Sequence, residues 1–163
     1  MSFRNCRPLV VIVVLALAGL ADAVYLTAEH LAGNTVQCTV VRGCEEVLSS
    51  PYATLPGGVP LAALGAAAYF TVFSLAVLAL FQYPRAARLI PPLVGLMFIA
   101  TLWLLYVQAF VLDKFCQYCL LSALVTTGLA AASLWLARGA ARKLEYPLRP
   151  AEEKGTFRVA SGH

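Results

Sequence analysis

The chain has 163 residues, of which 61% are hydrophobic and only 12% are Asp, Glu, Lys or Arg, against about 45–50% and about 25% in soluble domains. That composition excludes a soluble globular domain and a disordered chain alike, and the length leaves no room for a large catalytic domain outside a membrane. The net charge of +4 sits in clusters between apolar runs, with no interleaved aromatics or base-reading motif of the kind nucleic-acid binding requires.

In chain order, an apolar run at residues 9–28 carries Asp22 as its one charge. A polar loop comes next at 32–58, then uncharged runs at 59–81, 89–112 and 115–137. Helices of that length reach about 30–36 Å, enough to cross a hydrocarbon core of about 30 Å. The period-2 alternation of a membrane β-barrel is absent. The expected fold is therefore all-α, a four-transmembrane-helix bundle with a long outward first loop. Residues 1–137 would form the membrane domain, and 138–163, mixed in charge and poor in apolar periodicity, a cytoplasmic tail without fixed structure. A cleaved signal peptide is the rival reading of the first run, since Ala21-Asp22-Ala23 resembles a cleavage site. The apolar character resumes in Val24, Tyr25 and Leu26, which a signal peptide does not need.

Ten of the 12 Lys and Arg lie in the termini and the second loop, leaving Arg42 in the first loop and Lys114 in the tight Asp113-Lys114 turn. By the positive-inside rule both termini are cytoplasmic and the first and third loops face outward, as in a multi-pass protein of the plasma (inner) membrane.

This topology gives the five cysteines their meaning. Cys38 and Cys44 fall in the first loop, and Cys116 and Cys119 open the fourth helix, all on the outer, oxidising side where thiols pair. Cys6 precedes the first span and reads as a bystander. At a helix start, unpaired N–H groups and the dipole stabilise a thiolate on Cys116, and Lys114 should act in the same direction. One dithiol in a loop and one at a helix start are the parts of a thiol–disulfide relay. No haem, flavin or iron–sulfur motif is present, so the acceptor best suited to a pocket between apolar helices is a quinone, ubiquinone or menaquinone. Two other readings stay open: four outer thiolates holding a metal such as zinc, and permanent structural disulfides.

The segments from Tyr25 to Ser122 resemble the vitamin K epoxide reductase family in its bacterial branch, as a stand-alone form. The carriers are Cys38, Cys44 with the stretch CEEVLSSPYATLPGGVPLAALGAAAYF, and FCQYCLLSA from Phe115. The resemblance implies that Cys119 meets the quinone with Cys116 as its disulfide partner. It also implies that Cys44 passes electrons to Cys116, and that Cys38 exchanges with an external protein. Ser50 matches the family serine beside the quinone; its plainer role is a cap or turn residue before Pro51. Ala123 departs from the family pattern, because the vertebrate enzymes carry a tyrosine four residues beyond the second cysteine of the close pair. That departure speaks against vitamin K epoxide reduction, the alternative activity. The implied partner is a separate extracytoplasmic thioredoxin-like protein, similar to DsbA.

Asp22 is the only Asp, Glu, Lys, Arg or His inside a span, a costly placement that marks proton handling near the quinone or a polar contact. His30, near the outer end of the same helix, reads as interfacial. Gly65 to Ala68 and Ser122 to Gly128 are small residues that permit close helix packing.

Overall fold

The computed structural model describes residues 6–34, 36, 43–54 and 58–145. Four long helices dominate: α1 (Cys6–Leu31), α3 (Leu61–Leu80), α4 (Pro84–Tyr106) and α5 (Gln117–Glu145). Between the first two lie a five-residue helix, α2 (Cys44–Leu48), and a 3-10 turn, Pro51–Ala53. A π-helical turn, Val107–Val111, extends α4. No named strand occurs among the described residues, where Thr54 and Pro60 form an isolated bridge across the loop.

The segments Arg7–Leu31, Leu61–Leu80, Pro84–Val111 and Gln117–Gly139 are each long and apolar enough to cross a membrane. The third begins five residues before the expected 89, because Pro84 suits the first helical turn and Arg85 and Arg88 extend the helix at its polar end. At the other terminus α5 continues to Glu145, past the expected limit at 137. The residues added are mostly Ala, Arg, Lys, Leu and Glu, all strong helix formers.

The helices close a ring. α1 packs on α3 and α5, and α4 completes the circle between α3 and α5. Leu9, Ile12, Val72, Ile90, Val94 and Leu129 fill the centre. Large apolar side chains cover the outside, with Phe110 77% and Leu124 72% exposed, as expected where lipid rather than water is the surroundings. Because lipid tails solvate apolar surface as well as protein does, close packing and hydrogen bonds between helices must supply the cohesion.

Tyr69 supplies both. Its ring lies against Gly19 of α1, where a Cβ atom would fall 2.4 Å from Tyr69 Cε1. Its hydroxyl reaches α5, pairing with Ser122 Oγ and Thr126 Oγ1 at 2.8 Å each. A missing side chain on one helix thus lets a second helix hydrogen-bond a third. Gly128 plays a lesser part, facing Leu15, and the Cβ site on Gly65 is in ordinary contact with Ala23.

Candidate functional site

The C-terminal ends of α1 and α4 and the N-terminal ends of α3 and α5 share one end of the bundle. There Cys44, Val47 and Cys116 form a second buried cluster with Leu112, Tyr118 and Cys119 packed against it. α2 is seated by Gly43, whose φ of 134° lies in a region that side chains rarely adopt. A Cβ atom there would also fall 3.1 Å from the Phe115 carbonyl oxygen. The glycine therefore lets the first loop lie directly on the segment that opens α5.

That seating buries two sulfurs side by side. Cys44 is 1% and Cys116 0% exposed, and their Sγ atoms lie 3.5 Å apart. Cys44 is itself disulfide-bonded, whereas Cys116 and Cys119 are free thiols. A thiol at this distance from a disulfide sulfur is placed for exchange, which proceeds by attack of a thiolate along the S–S axis.

The sequence places Cys116 within the first turn of the fourth helix, but it precedes Gln117, where α5 begins, and so occupies the cap position. Its carbonyl accepts the Leu120 N–H at 3.0 Å. Hydrogen bonding from the Cys119 thiol and from the backbone N–H groups of Cys119 and Tyr118 favours its ionised form, which would then stand where a capping oxygen does at other helix starts. The Cys119 hydrogen bond is the largest influence, burial opposes it, and the net effect lowers the Cys116 thiol to about 7. Lys114 is not among the groups that set this value; its backbone N–H instead bonds to the Gln108 carbonyl at 3.1 Å.

Cys119 faces the other way. With Asp22, Ser50, Gln108 and Tyr118 it lines a cavity of about 150 Å³, the size of engineered cavities that admit a benzene ring. The remaining walls are largely apolar, with Leu26, Val47, Leu105 and Leu112 among them. Asp22 Oδ2 is buried without a hydrogen-bond partner. Orphaned carboxylate oxygens are costly in such surroundings, so this one fits a ligand bearing a complementary polar group. Ser50 is 8% exposed, and its hydroxyl donates to the Val47 carbonyl at 2.7 Å. It closes α2 as a turn residue and lines the cavity at once, presenting acceptor lone pairs to it.

The model of the vitamin K epoxide reductase family matches residues 10–134, about three quarters of the chain. The protein belongs to that family. The match extends past the resemblance seen in residues 25–122, taking in most of the first and last spans. As a member of the vitamin K epoxide reductase family this is a multi-pass membrane protein of a quinone-linked thiol oxidoreductase group. A quinone fits the donor set: an apolar slot with room for one ring, a thiol at its edge, and hydrogen-bonding groups on Asp22, Ser50 and Gln108.

Of the residues singled out from the sequence, Cys44, Cys116, Cys119, Ser50 and Asp22 converge here, and His30 also lines the cavity. Cys38 lies outside the described residues. Gln108 was missed, although it is 3% exposed and its Oε1 accepts the Cys116 N–H at 3.2 Å. An amide within an otherwise apolar span, eight residues before the first cysteine of the close pair, was the available signal.

Proposed function

We propose that this protein is a quinone-reducing dithiol oxidase that re-oxidises a separate thioredoxin-like partner outside the plasma membrane, for disulfide formation in exported proteins. The observation that carries the reading is the division of labour in the inner pair. Cys116 Sγ lies 3.5 Å from Cys44 Sγ, while Cys119 lines the apolar cavity.

The relay starts when a partner thiolate attacks Cys38 of a Cys38–Cys44 disulfide, releasing Cys44 as a thiolate. The partner's second thiol resolves that mixed disulfide and leaves oxidised. Cys44 then attacks Cys116 of the Cys116–Cys119 disulfide, and Cys119 is released. Attack of Cys38 on Cys44 restores the outer disulfide and leaves Cys116 and Cys119 as a dithiol. That Cys44 is disulfide-bonded while Cys116 and Cys119 are thiols supports the reading that electrons come to rest on the inner pair. A bound quinone supplies the two-electron acceptor. The driving force is adequate, because strongly oxidising thioredoxin-like proteins sit near about −120 mV and respiratory quinones accept electrons from them.

Oxidation of the dithiol releases two protons and formation of a quinol consumes two. Asp22, with its buried unpartnered oxygen, holds the proton that is passed to the ligand oxygen and regains it from the inner thiols. Ser50 and Tyr118 orient the ring by contact and hydrogen bonding. The Lys and Arg distribution supports placing this end of the bundle outside and both termini in the cytoplasm.

The test is to mix the protein with a reduced thioredoxin-like partner and either ubiquinone or menaquinone and follow quinone absorbance. Turnover should vanish in the Ala variants of Cys38, Cys44, Cys116 and Cys119 and persist in Cys6→Ala. Full turnover in Cys119→Ala would overturn the reading.

A further inference from the structure

Gln108 sits in the π-helical turn Val107–Val111, where the Leu112 N–H bonds to the Val107 carbonyl at 3.0 Å. Such turns insert one extra residue into a helix, rotate the residues beyond it, and concentrate at functional sites. Here the turn brings an amide side chain off the lipid-facing register and into the bundle, between the cavity and the start of α5.

The orientation of that amide is determined. The Cys116 backbone N–H can only donate, so its partner at 3.2 Å must be the Gln108 oxygen. The NH₂ group consequently points away from Cys116, and Gln108 and Cys119 line the same cavity. One buried side chain therefore holds the Cys116 backbone by its acceptor end and leaves its donor end for the cavity that Cys119 lines. The Gln108 carbonyl adds a third tie, accepting the Lys114 N–H at 3.1 Å and fixing the turn around Asp113, whose φ is 49°.

We infer that Gln108 directs the relay to Cys116 by stabilising Cys119 as the leaving thiolate. The step rests on the proposed relay and is balanced: the Cys44 thiolate forms a bond to Cys116 Sγ, the Cys116–Cys119 bond breaks, and the negative charge moves from Cys44 to Cys119. In the reduced pair the Cys119 thiol packs against the buried Cys116. Once Cys116 is bonded to Cys44 that arrangement is lost, and Cys119 needs a donor of its own. The Gln108 NH₂, on the cavity that Cys119 lines, can serve. Because exchange is faster toward the sulfur whose partner leaves more readily, the amide also disfavours the wrong attack at Cys119, which would leave the electrons on the cysteine that does not face the cavity. Gln108 is a positioning residue in this scheme, acting through Cys119.

A Cys38→Ser background isolates the step, since the outer disulfide can no longer form. After oxidation by quinone, Cys44 partitions between a free thiol beside Cys116–Cys119 and a Cys44–Cys116 disulfide beside free Cys119. Alkylation of free thiols and peptide mass mapping read the ratio. Gln108→Glu keeps the acceptor for the Cys116 N–H but replaces the donor with an oxygen. Gln108→Leu removes both ends, and Gln108→Asn retains both on a shorter arm. The ratio of Cys44–Cys116 to Cys116–Cys119 should fall at least about tenfold in Gln108→Glu and Gln108→Leu, the size of a hydrogen bond to a charged group, and fall less in Gln108→Asn. An unchanged ratio in Gln108→Glu and Gln108→Leu, with thermal unfolding of both as in the parent, would overturn the inference. Failure of Cys44–Cys116 to form with Gln108 intact would instead overturn the relay itself.

Discussion

Cys44 and Cys116, 72 residues apart in the chain, bring their sulfur atoms to 3.5 Å inside the protein. The contact depends on a glycine, because Gly43 combines a φ of 134° with a close approach to the Phe115 carbonyl. Gly43→Ala should add backbone strain and lift α2 from the start of α5. Partner-driven quinone reduction should fall about tenfold, the effect of one to two kcal/mol of strain. Reduction of quinone by the pre-reduced inner pair should be unchanged, and stopped-flow absorbance separates the two.

The Cys116 thiol is lowered to about 7 chiefly by the Cys119 hydrogen bond, which favours the thiolate. In the fully reduced protein, thiolate absorbance should therefore show a titration near that pH, well below an ordinary cysteine. As pH falls through this range Cys116 becomes protonated and exchange with the outer pair slows. Removing the largest lowering influence in Cys119→Ala should move the titration upward. A midpoint that stays near 7 in that variant would assign the shift to the helix N–H groups alone.

Asp22→Asn preserves size and hydrogen bonding but carries no transferable proton. Steady-state quinone reduction should drop about a hundredfold, a typical contribution of a positioned proton donor. Disulfide exchange between Cys44 and Cys116, monitored by thiol trapping without quinone, should continue at the parent rate. Recovery of turnover in Asp22→Glu checks that the carboxyl is responsible.

Tyr69 tests the scaffold. Gly19→Ala places a methyl group within 2.4 Å of a ring that is pinned by Ser122 and Thr126, and should cost about 1–3 kcal/mol. Gly128→Ala meets Leu15 Cδ1 at 3.1 Å, the end of a mobile side chain, and should cost less. Thermal unfolding in detergent should order the Tm values as parent, Gly128→Ala, then Gly19→Ala.

Apolar runs long enough to cross a membrane, three without charge and the first with Asp22 alone, made the four spans legible, since water-soluble domains rarely contain several of them. The close cysteine pair was legible because its spacing falls at a helix start beside a short turn. Ser50 was legible through the family resemblance, as its hydroxyl bonds to Val47 in a way that any turn serine would. Gly43 could be read as a residue that eases a turn, but its contact with Phe115 joins segments far apart in the chain. Gln108 was the least legible. Its inward direction depends on a π-helical turn, which shifts the helical register by one residue and leaves no trace in apolar periodicity. Its importance depends on a partner eight residues away across a chain reversal. The end of α5 was misplaced because composition marks where lipid stops, whereas helix propensity carries the backbone on to Glu145.

The central claim is that Cys119 alone meets the quinone, with Cys116 between it and Cys44. The most direct measurement is single-turnover quinone consumption by fully reduced protein without a partner. Four outer thiols should reduce two quinones in the parent and one in Cys38→Ala or Cys44→Ala, while Cys116→Ala and Cys119→Ala should reduce none. Reduction of one quinone by Cys119→Ala would contradict the account, because electrons would then leave the protein without passing through the sulfur that lines the cavity.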